Sequence, residues 1–385
     1  MKRVILMVDA AADFPFPELE DRTPLQVARM PHARRLAGEG CNGVLKRTRS
    51  EADASRALLA EACGLRPADA ADLRWGPVAA ASLGVGPEPD RMYVLCRFVS
   101  HDSEEELQSP VTPSGVGEQN GLLSDMERWI AERCGESARL HSLSPGRFVL
   151  DVAAEGMTWP RMPVGYDHLR TLKRLPPRIR DMVRAAEEGL AGHSVNAVRL
   201  DLGEPPINGM WCWSGGTVVP PPGELDFPQA LVSSDPLVEG MARCWGRTFL
   251  SMDDPYGLDR PDAAFDMAGM IRMLEAHEEV VVWLPAPFST RKYEGAAEKV
   301  RRLDAVDYYV TGPLRALLEE WRPCRLLLTA AGVRHRGRPE KGPAPCVLWG
   351  DGVASDDVTS WSETDSPGGS LATPKFSKLL ELLRQ

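Results

Sequence analysis

The chain has 385 residues, of which 43% are hydrophobic and 26% charged, and its formal net charge is −10. This length allows one large domain or two of moderate size. The acidic balance argues against a protein that binds nucleic acid through a basic face. No apolar run approaches the ~20 residues needed to cross a bilayer, and the short N-terminal apolar stretch meets Asp9 without a cleavage-type segment. We therefore expect a cytoplasmic protein with no membrane or nucleic-acid partner.

The cysteines give no sign of a metal or redox motif. Eight are scattered between Cys41 and Cys346, and no two of them form a Cys-x-x-Cys pair. This spacing argues against a zinc ribbon or a redox-active dithiol. We expect buried free thiols.

The N-terminal part predicts a strand followed by helices. The apolar run 4–8 ends on Asp9, which places a carboxylate at the carboxyl edge of a sheet, where open α/β folds bind ligands. Thr23 followed by Pro24 is typical of a helix start. The predicted helices of this part cover 23–29, 32–38, 54–63 and a stretch of small residues before Gly84.

The middle section predicts an insert of mixed strands and helices over residues 85–221. Its predicted elements are a strand at 92–99, an acidic Gly/Ser-rich loop at 101–121, a helix ending at Gly135 and a strand at 147–152. Ser124 with Glu127 three residues later matches a capping box, so the helix is expected to begin there. The core would then consist of residues 1–84 and 222–385.

The C-terminal part returns to alternating strands and helices. The predicted strands are 230–233, 248–251, 280–284, 326–329 and 346–349, and the predicted helices are 236–245, 261–277, 296–320 and 375–384. The run 280–284 is apolar without alternation, as in a strand buried on both faces. The chain therefore predicts an α/β fold with a mainly parallel sheet flanked by helices.

Several segments together resemble one known family. They are VDAAAD, PELEDRTPLQVA and MPHARRLAGEG near the start, WGPVAAASLGVGPEPD before the insert, GYDHL at 165–169, NAVRLDLGEPPINGMWCWSGG at 196–216, and LLLTAAG and GPAPCVLWG near the end. In this order they resemble the archaeal-type, 2,3-bisphosphoglycerate-independent phosphoglycerate mutases, including relatives proposed as homoserine kinases. The resemblance covers nearly the whole chain.

The resemblance implies an alkaline-phosphatase-like core interrupted by a substrate-capping insert. It also implies that two divalent metals activate a serine, which takes the phosphoryl group from one hydroxyl of glycerate and returns it to the other. Two adjacent metals stabilise both the attacking and the leaving oxygen in such a transfer.

Two positions match the family's catalytic centre. Asp9 matches the first metal ligand, although a cap of the following turn is an equal interpretation. Ser55 matches the nucleophile when the spacing is counted back from the turn at Gly64, and Ser50 is the alternative register. Arg56 stands where the family has an Asp, and a surface helix residue is the favoured interpretation of Ser55.

The other metal-ligand positions carry residues that do not bind metals. Phe288 and Lys292 stand in place of an Asp-x-x-x-His pair, and 329–332 read Thr-Ala-Ala-Gly where an Asp-His pair is expected. Phe has no lone pair, and Lys would have to lose its proton. His335 is displaced from the last family His and is expected to be an exposed loop residue. We expect no resident metal; the alternative is Mn, Mg or Zn at a rearranged site.

The substrate-binding positions are better preserved. Arg97, His168, Asn196 and Arg199 match family residues, and guanidinium groups suit carboxylate and phosphate recognition. For any one of them taken alone, a surface ion pair is the favoured interpretation. Trp211 and Trp213 alternate as in a strand and are expected to pack in the core.

Two hypotheses follow. In the first, the protein is a catalytically degenerate relative of the mutases that binds a small phosphorylated acid or acts as a scaffold or regulatory subunit. In the second, it is an active mutase or related phosphotransferase that uses Ser55 and ligands rearranged in space, for which the candidates are Asp304, Asp307, Asp351 and His335. No Walker A run indicates an ATP site. The emptied metal site favours the first hypothesis.

Overall fold

A computed structural model describes residues 1–46, 54–101, 107–160, 168–225, 227, 229–252, 266–285, 295–335 and 338–385. The strands in these ranges are β1 (Lys2–Val8), β2 (Cys41–Val44), β3 (Arg91–His101), β4 (Leu107–Pro110), β5 (Arg139–Ser144), β6 (Arg147–Ala153), β7 (Gly209–Gly216), β8 (Gln229–Ser233), β9 (Thr248–Ser251), β10 (Glu279–Leu284), β11 (Cys324–Ala330), β12 (Val333–His335), β13 (Arg338–Glu340) and β14 (Pro345–Gly350). The α-helices are α1 (Pro24–Val27), α2 (Pro31–Glu39), α3 (Ala54–Ala62), α4 (Pro67–Asp72), α5 (Trp75–Ser82), α6 (Val116–Cys134), α7 (His168–Arg174), α8 (Pro177–Ala191), α9 (Ser194–Asp201), α10 (Pro236–Trp245), α11 (Met267–Ala276), α12 (Ala296–Val306), α13 (Gly312–Glu320) and α14 (Phe376–Arg384).

The chain divides into two compact units. The first consists of Met1–Asp72 and Pro221–Gln385, and the second of Leu73–Pro220. The N-terminal boundary thus lies before α5, whereas the sequence placed it at residue 84. The reason is that α5 packs on the second unit, where the Trp75 N–H donates to Ser214 Oγ at 2.8 Å. That the insert is a domain of its own stays a prediction.

The first unit is built on a seven-stranded sheet in the order β2-β14-β11-β1-β10-β8-β9. The strands from β11 to β9 are parallel to one another, β14 pairs antiparallel with β11, and β2 pairs antiparallel with β14. Strands β1 and β10 lie in the middle, and every residue of 4–8 and 280–284 is buried. Helices flank this sheet, so the predicted α/β fold with a mainly parallel sheet is confirmed.

The carboxyl ends of the central parallel strands lie side by side. The Asp9 N–H donates to Leu284 O at 2.9 Å, and the Ala331 N–H donates to Val8 O at 3.0 Å. Ser233 Oγ donates to Trp283 O at 2.8 Å. Asp9 therefore lies at the carboxyl edge of the sheet, as the apolar run before it predicts.

The second unit is an antiparallel sheet packed against helices. Strands β4, β3, β6 and β5 follow in that order, and β7 also pairs with β3. Its apolar core includes Phe98, Phe148, Met126 and Ile179, which come from two strands and from helices α6 and α8. This is the α+β composition that the sequence predicts for the insert.

The start of the insert's long helix was predicted wrongly. Helix α6 begins at Val116, so Ser124 and Glu127 lie inside it, and the Glu127 carboxylate accepts the Leu140 N–H instead. The expected loop at 101–121 also contains β4, which pairs with β3. β4 pairs with the strand directly before it in the chain, and the polar composition of the segment did not indicate that pairing.

Two local predictions agree with the structure. Thr23 caps α1, where Thr23 Oγ1 accepts the Gln26 N–H at 3.2 Å and Gln26 Oε1 accepts the Thr23 N–H at 2.8 Å. All eight cysteines are free thiols, six of them buried.

Among the described residues, no helix is both long and apolar enough to cross a membrane.

Candidate functional site at the carboxyl edge of the parallel sheet

Asp9 and Ser55, the two residues that match the family's catalytic centre, lie together. Asp9 is 6% exposed and Ser55 is 7% exposed. A Cβ atom built on Gly332 would lie 3.4 Å from Ser55 Cβ and 3.5 Å from Asp9 Oδ1. The segment after β11 therefore faces both side chains. The carboxylate, the hydroxyl and the end of β11 form one site.

Helix α3 brings a positive charge to this edge. Ser55 and Arg56 lie in its first turn, where the helix dipole is positive. Arg56 Nη2 lies 3.5 Å from Asp235 Oδ2, and Asp235 is 4% exposed. Asp235 also caps α10, since its Oδ1 accepts the Leu237 N–H at 3.1 Å. Among the described residues, this edge thus carries the Asp9 and Asp235 carboxylates, the Ser55 hydroxyl and the Arg56 guanidinium.

The last residue of β11 and the two residues after it offer no metal-binding side chains. Ala330, Ala331 and Gly332 stand there, and a group of three or more His, Cys, Asp or Glu able to hold a metal is absent from the described part of the chain. Phe288 and Lys292 lie outside the described residues, as does Ser50. Divalent ions need four to six oxygen or nitrogen ligands in a fixed geometry. The described donors do not fit a pair of such ions.

The acids considered for a rearranged metal site cap backbone groups elsewhere. Asp304 Oδ1 accepts the Arg29 N–H at 2.6 Å. The Asp307 carboxylate accepts two N–H groups at the start of α2, at 2.8 and 2.9 Å. Asp351 accepts the Cys324 N–H at 2.9 Å, and Cys324 begins β11, so Asp351 lies at the opposite edge of the sheet from Asp9.

A buried polar cluster lies beyond the carboxyl edge, and no sequence pattern predicted it. Lys299 Nζ lies 2.8 Å from Asp13 Oδ2, and His335 Nδ1 lies 2.8 Å from Asp13 Oδ1. Glu363 accepts the Asp13 N–H at 2.8 Å and the Thr23 hydroxyl at 2.6 Å. Burial lowers the pKa of Lys299 and raises the pKa of Glu363.

His335 belongs to this cluster rather than to an exposed loop, which corrects the sequence-based expectation. Its side chain is 28% exposed. The imidazole packs against Phe14 and Phe16, with ring centroids 5.6 and 4.8 Å away. The aromatic contacts and the bond to Asp13 fix the ring, so His335 is held away from the role of a ligand beside Asp9.

Known proteins with similar sequences support the resemblance that the motifs indicated. No protein-family model matches the chain. A "2,3-bisphosphoglycerate-independent phosphoglycerate mutase 2" from Methanothermobacter thermautotrophicus is 26% identical over 396 residues, covering 100% of this chain and 97% of that protein. A second such mutase, from Methanothrix thermoacetophila, is 25% identical over 411 residues and covers 100% of this chain and 99% of that protein.

Solved structures show the same fold. The PH0037 protein from Pyrococcus horikoshii matches with a TM-score of 0.69 at 18% identity, over 99% of this chain and 96% of that one. The cofactor-independent phosphoglycerate mutase from Thermoplasma acidophilum matches with a TM-score of 0.56 at 20% identity, over 100% and 99%. This chain is a relative of the archaeal-type, cofactor-independent phosphoglycerate mutases.

Among the positions that match the mutases' substrate-binding residues, Asn196 and Arg199 are bonded to backbone groups of their own unit. The Asn196 amide donates to Leu190 O and Ile207 O at 2.8 and 2.9 Å and accepts the Ile207 N–H at 2.7 Å. Arg199 donates to Pro205 O at 2.8 Å. These contacts hold the loop before β7 against α9. A substrate-binding role for the two residues stays a prediction.

Arg97 and His168 remain candidates on the same unit. Arg97 lies in β3 opposite Arg147 on one side and Trp211 on the other. His168 begins α7. Trp211 stacks on Trp213 with ring centroids 4.8 Å apart and is 6% exposed, as expected for packing.

Proposed function

We propose that this protein is a phosphoglycerate-mutase-like protein that has lost the metal-dependent phosphoryl transfer and keeps the fold to bind a small phosphorylated acid. The relatives' names describe isomerases of glycolysis. The proposal is carried by one observation: the segment that faces Asp9 and Ser55 consists of Ala330, Ala331 and Gly332, whose side chains hold no donor atom.

The chemistry of the family explains why this composition matters. Bound divalent ions polarise phosphoryl oxygens and lower the pKa of a coordinated hydroxyl. Ser55 without such an ion is a poor nucleophile at neutral pH. A base would have to replace the ions, and His335 is engaged by Asp13. Within the described ranges, Ser55 and Asp9 therefore lack the partners that acyl- or phosphoryl-transfer enzymes provide.

The retained capacity would be ligand binding through the second unit. Arg97 supplies a guanidinium, which pairs with carboxylate or phosphate through two hydrogen bonds. His168 is the second candidate contact. Asn196 and Arg199 would support the ligand-binding loop rather than the ligand, because backbone groups engage their polar atoms.

One observation favours an active mutase as the second candidate function. Ser55 and Asp9 both match catalytic positions of the mutases, and both lie next to Gly332. In this alternative, residues 286–294, which lie outside the described ranges, and a divalent ion such as Mn²⁺ would complete the centre.

Enzyme assays and metal analysis of the full chain decide between the two. We expect conversion of 3-phosphoglycerate to 2-phosphoglycerate, with Mn²⁺, Mg²⁺ or Zn²⁺ present, to be no faster than in the Ser55→Ala variant. The mutase from Methanothermobacter thermautotrophicus serves as the active control. Turnover that needs Ser55, or two tightly bound ions per chain, would establish the active alternative.

Thermal-shift titration tests the binding half of the proposal. We expect 3-phosphoglycerate to raise the melting temperature of the wild type and glycerate to raise it much less. Arg97→Ala should weaken the affinity for 3-phosphoglycerate about tenfold or more, because a charge-assisted pair is lost. Arg128→Ala is the matched control, because Arg128 forms an exposed pair with Asp125. If no phosphorylated acid raises the melting temperature, the binding role is wrong and the scaffold role is the one that remains.

A further inference from the structure

The carboxyl edge of the first unit carries two buried acids on neighbouring parts of the sheet. Asp9 follows β1 and Asp235 lies just beyond β8, with β10 between these two strands. They are 6% and 4% exposed. A buried carboxylate needs a nearby positive charge, since its desolvation is otherwise costly. In the mutases, the resemblance assigns that charge to divalent ions.

Arg56 brings a permanent positive charge to the same place. Its guanidinium lies 3.5 Å from Asp235 Oδ2, and its side chain is 19% exposed. Arg56 follows Ser55 directly in the first turn of α3, so the nucleophile position and the guanidinium are fixed by one helix. A guanidinium cannot lose its proton in the accessible pH range. Its charge is therefore present at every working pH.

We propose that Arg56 is the resident cation of this edge and takes over the charge-neutralising role that divalent ions have in the mutases. The proposal rests on the proposed function, because a site occupied by two ions would need no guanidinium. It explains why a basic residue follows Ser55 where the family has an acidic one. It also explains how a donor-poor site can keep two carboxylates buried.

The proposal makes cation dependence the property to measure. Melting temperatures are recorded with EDTA and with millimolar Mn²⁺ for the wild type and for Arg56→Ala. We expect the wild type to be indifferent to Mn²⁺. Arg56→Ala should melt about 5–10 °C lower in EDTA, because the buried Asp235 carboxylate loses the guanidinium beside it. Mn²⁺ should restore roughly half of that loss by binding the folded state.

Three further variants keep the experiment decisive even if Arg56→Ala folds poorly. Arg56→Lys retains the charge and should stay indifferent to Mn²⁺. The double variant Arg56→Ala/Asp235→Asn also removes the negative charge of residue 235 and should regain stability without any cation. Arg66→Ala is the matched control, since Arg66 pairs with Asp69 and its side chain is 82% exposed.

The outcomes separate this inference from the proposed function. Stabilisation of the wild type by Mn²⁺ would overturn both. A wild type and an Arg56→Ala variant that are equally indifferent to Mn²⁺ would overturn the role of Arg56 alone. So would Mn²⁺ stabilisation of Arg56→Lys comparable to that of Arg56→Ala, because charge would then not be the deciding property.

Discussion

At the scale of single residues, the Asp13 carboxylate shows how a buried charge is accommodated. One oxygen accepts from Lys299, and the other accepts the Phe14 N–H at 2.8 Å and contacts His335. Lys299 is 1% exposed and Asp13 is 3% exposed. A buried ion pair adds little net stability when it is intact, but removing one partner leaves an uncompensated charge. The pair therefore specifies how α12 packs on the segment after β1.

Replacing Lys299 by methionine tests this pair, since methionine fills a similar volume without charge. We expect Lys299→Met to lower the free energy of unfolding by about 3–5 kcal/mol, measured by urea denaturation. The double variant Lys299→Met/Asp13→Asn should recover much of this loss. Lys378→Met is the control, because the Lys378–Glu381 pair is exposed and should cost at most about 1 kcal/mol. Equal losses in Lys299→Met and the control would contradict the buried position.

At the scale of secondary-structure elements, a β-bulge sets the register of the insert's sheet. The pairing of β3 with β7 shifts between Leu95 and Cys96, which places Cys96 opposite Cys212. Their sulfur atoms lie 3.2 Å apart, and both thiols are buried. Burial raises the pKa of the Cys212 thiol. The two thiols are therefore close but poorly reactive, because the thiolate is the nucleophile.

Slow oxidation of the folded protein should link these two cysteines. A small disulfide oxidant would take two electrons and two protons from the thiols and be reduced to two thiols itself. We expect a Cys96–Cys212 peptide in non-reducing mass spectrometry, formed faster as pH rises because more thiolate is present. In Cys96→Ser, Cys212 should remain a free thiol. A link from Cys212 to another cysteine would show that the register is different.

At the scale of the whole molecule, residues from both ends of the chain complete the first unit. Arg384, near the end of the chain, binds Glu279 through two hydrogen bonds of 3.0 and 2.8 Å. Glu279 is 0% exposed at the start of β10, and Gln229 also donates to it at 2.7 Å. Arg3 in β1 lies 3.8 Å from the same carboxylate. The unit interrupted by the insert is thus joined at the edge opposite Asp9.

Removing the Arg384 side chain should destabilise this unit although the residue lies next to the chain end. We expect Arg384→Met to lower the free energy of unfolding by about 1–3 kcal/mol, since the buried Glu279 loses its main partner while Arg3 remains near. Thermal and urea unfolding measure the change. The control is Arg243→Met, whose exposed pair with Glu239 should contribute at most about 1 kcal/mol. A loss no larger than the control's would mean that the chain end does not hold β10.

The sequence by itself determined the α/β class, the carboxylate at the end of β1 and the capped start of α1. It also showed the resemblance to the cofactor-independent phosphoglycerate mutases, since the motifs that carry it keep their order along the whole chain. These features depend on the period of apolar residues, on short-range hydrogen bonds and on residue identity, all of which can be read locally. The sequence alone also showed that residues 330–332 have no side-chain atoms that could bind a metal.

Only the tertiary structure decided which distant side chains meet. His335 and Asp13 are separated by 322 positions, and Thr23 and Glu363 by 340, so no local pattern links them. The contact of Arg56 with Asp235 depends likewise on the strand order, which brings the end of β8 near the start of α3. Burial and charge compensation are properties of the packed sheet, and the free energy that fixes them is gained only when remote segments exclude water together.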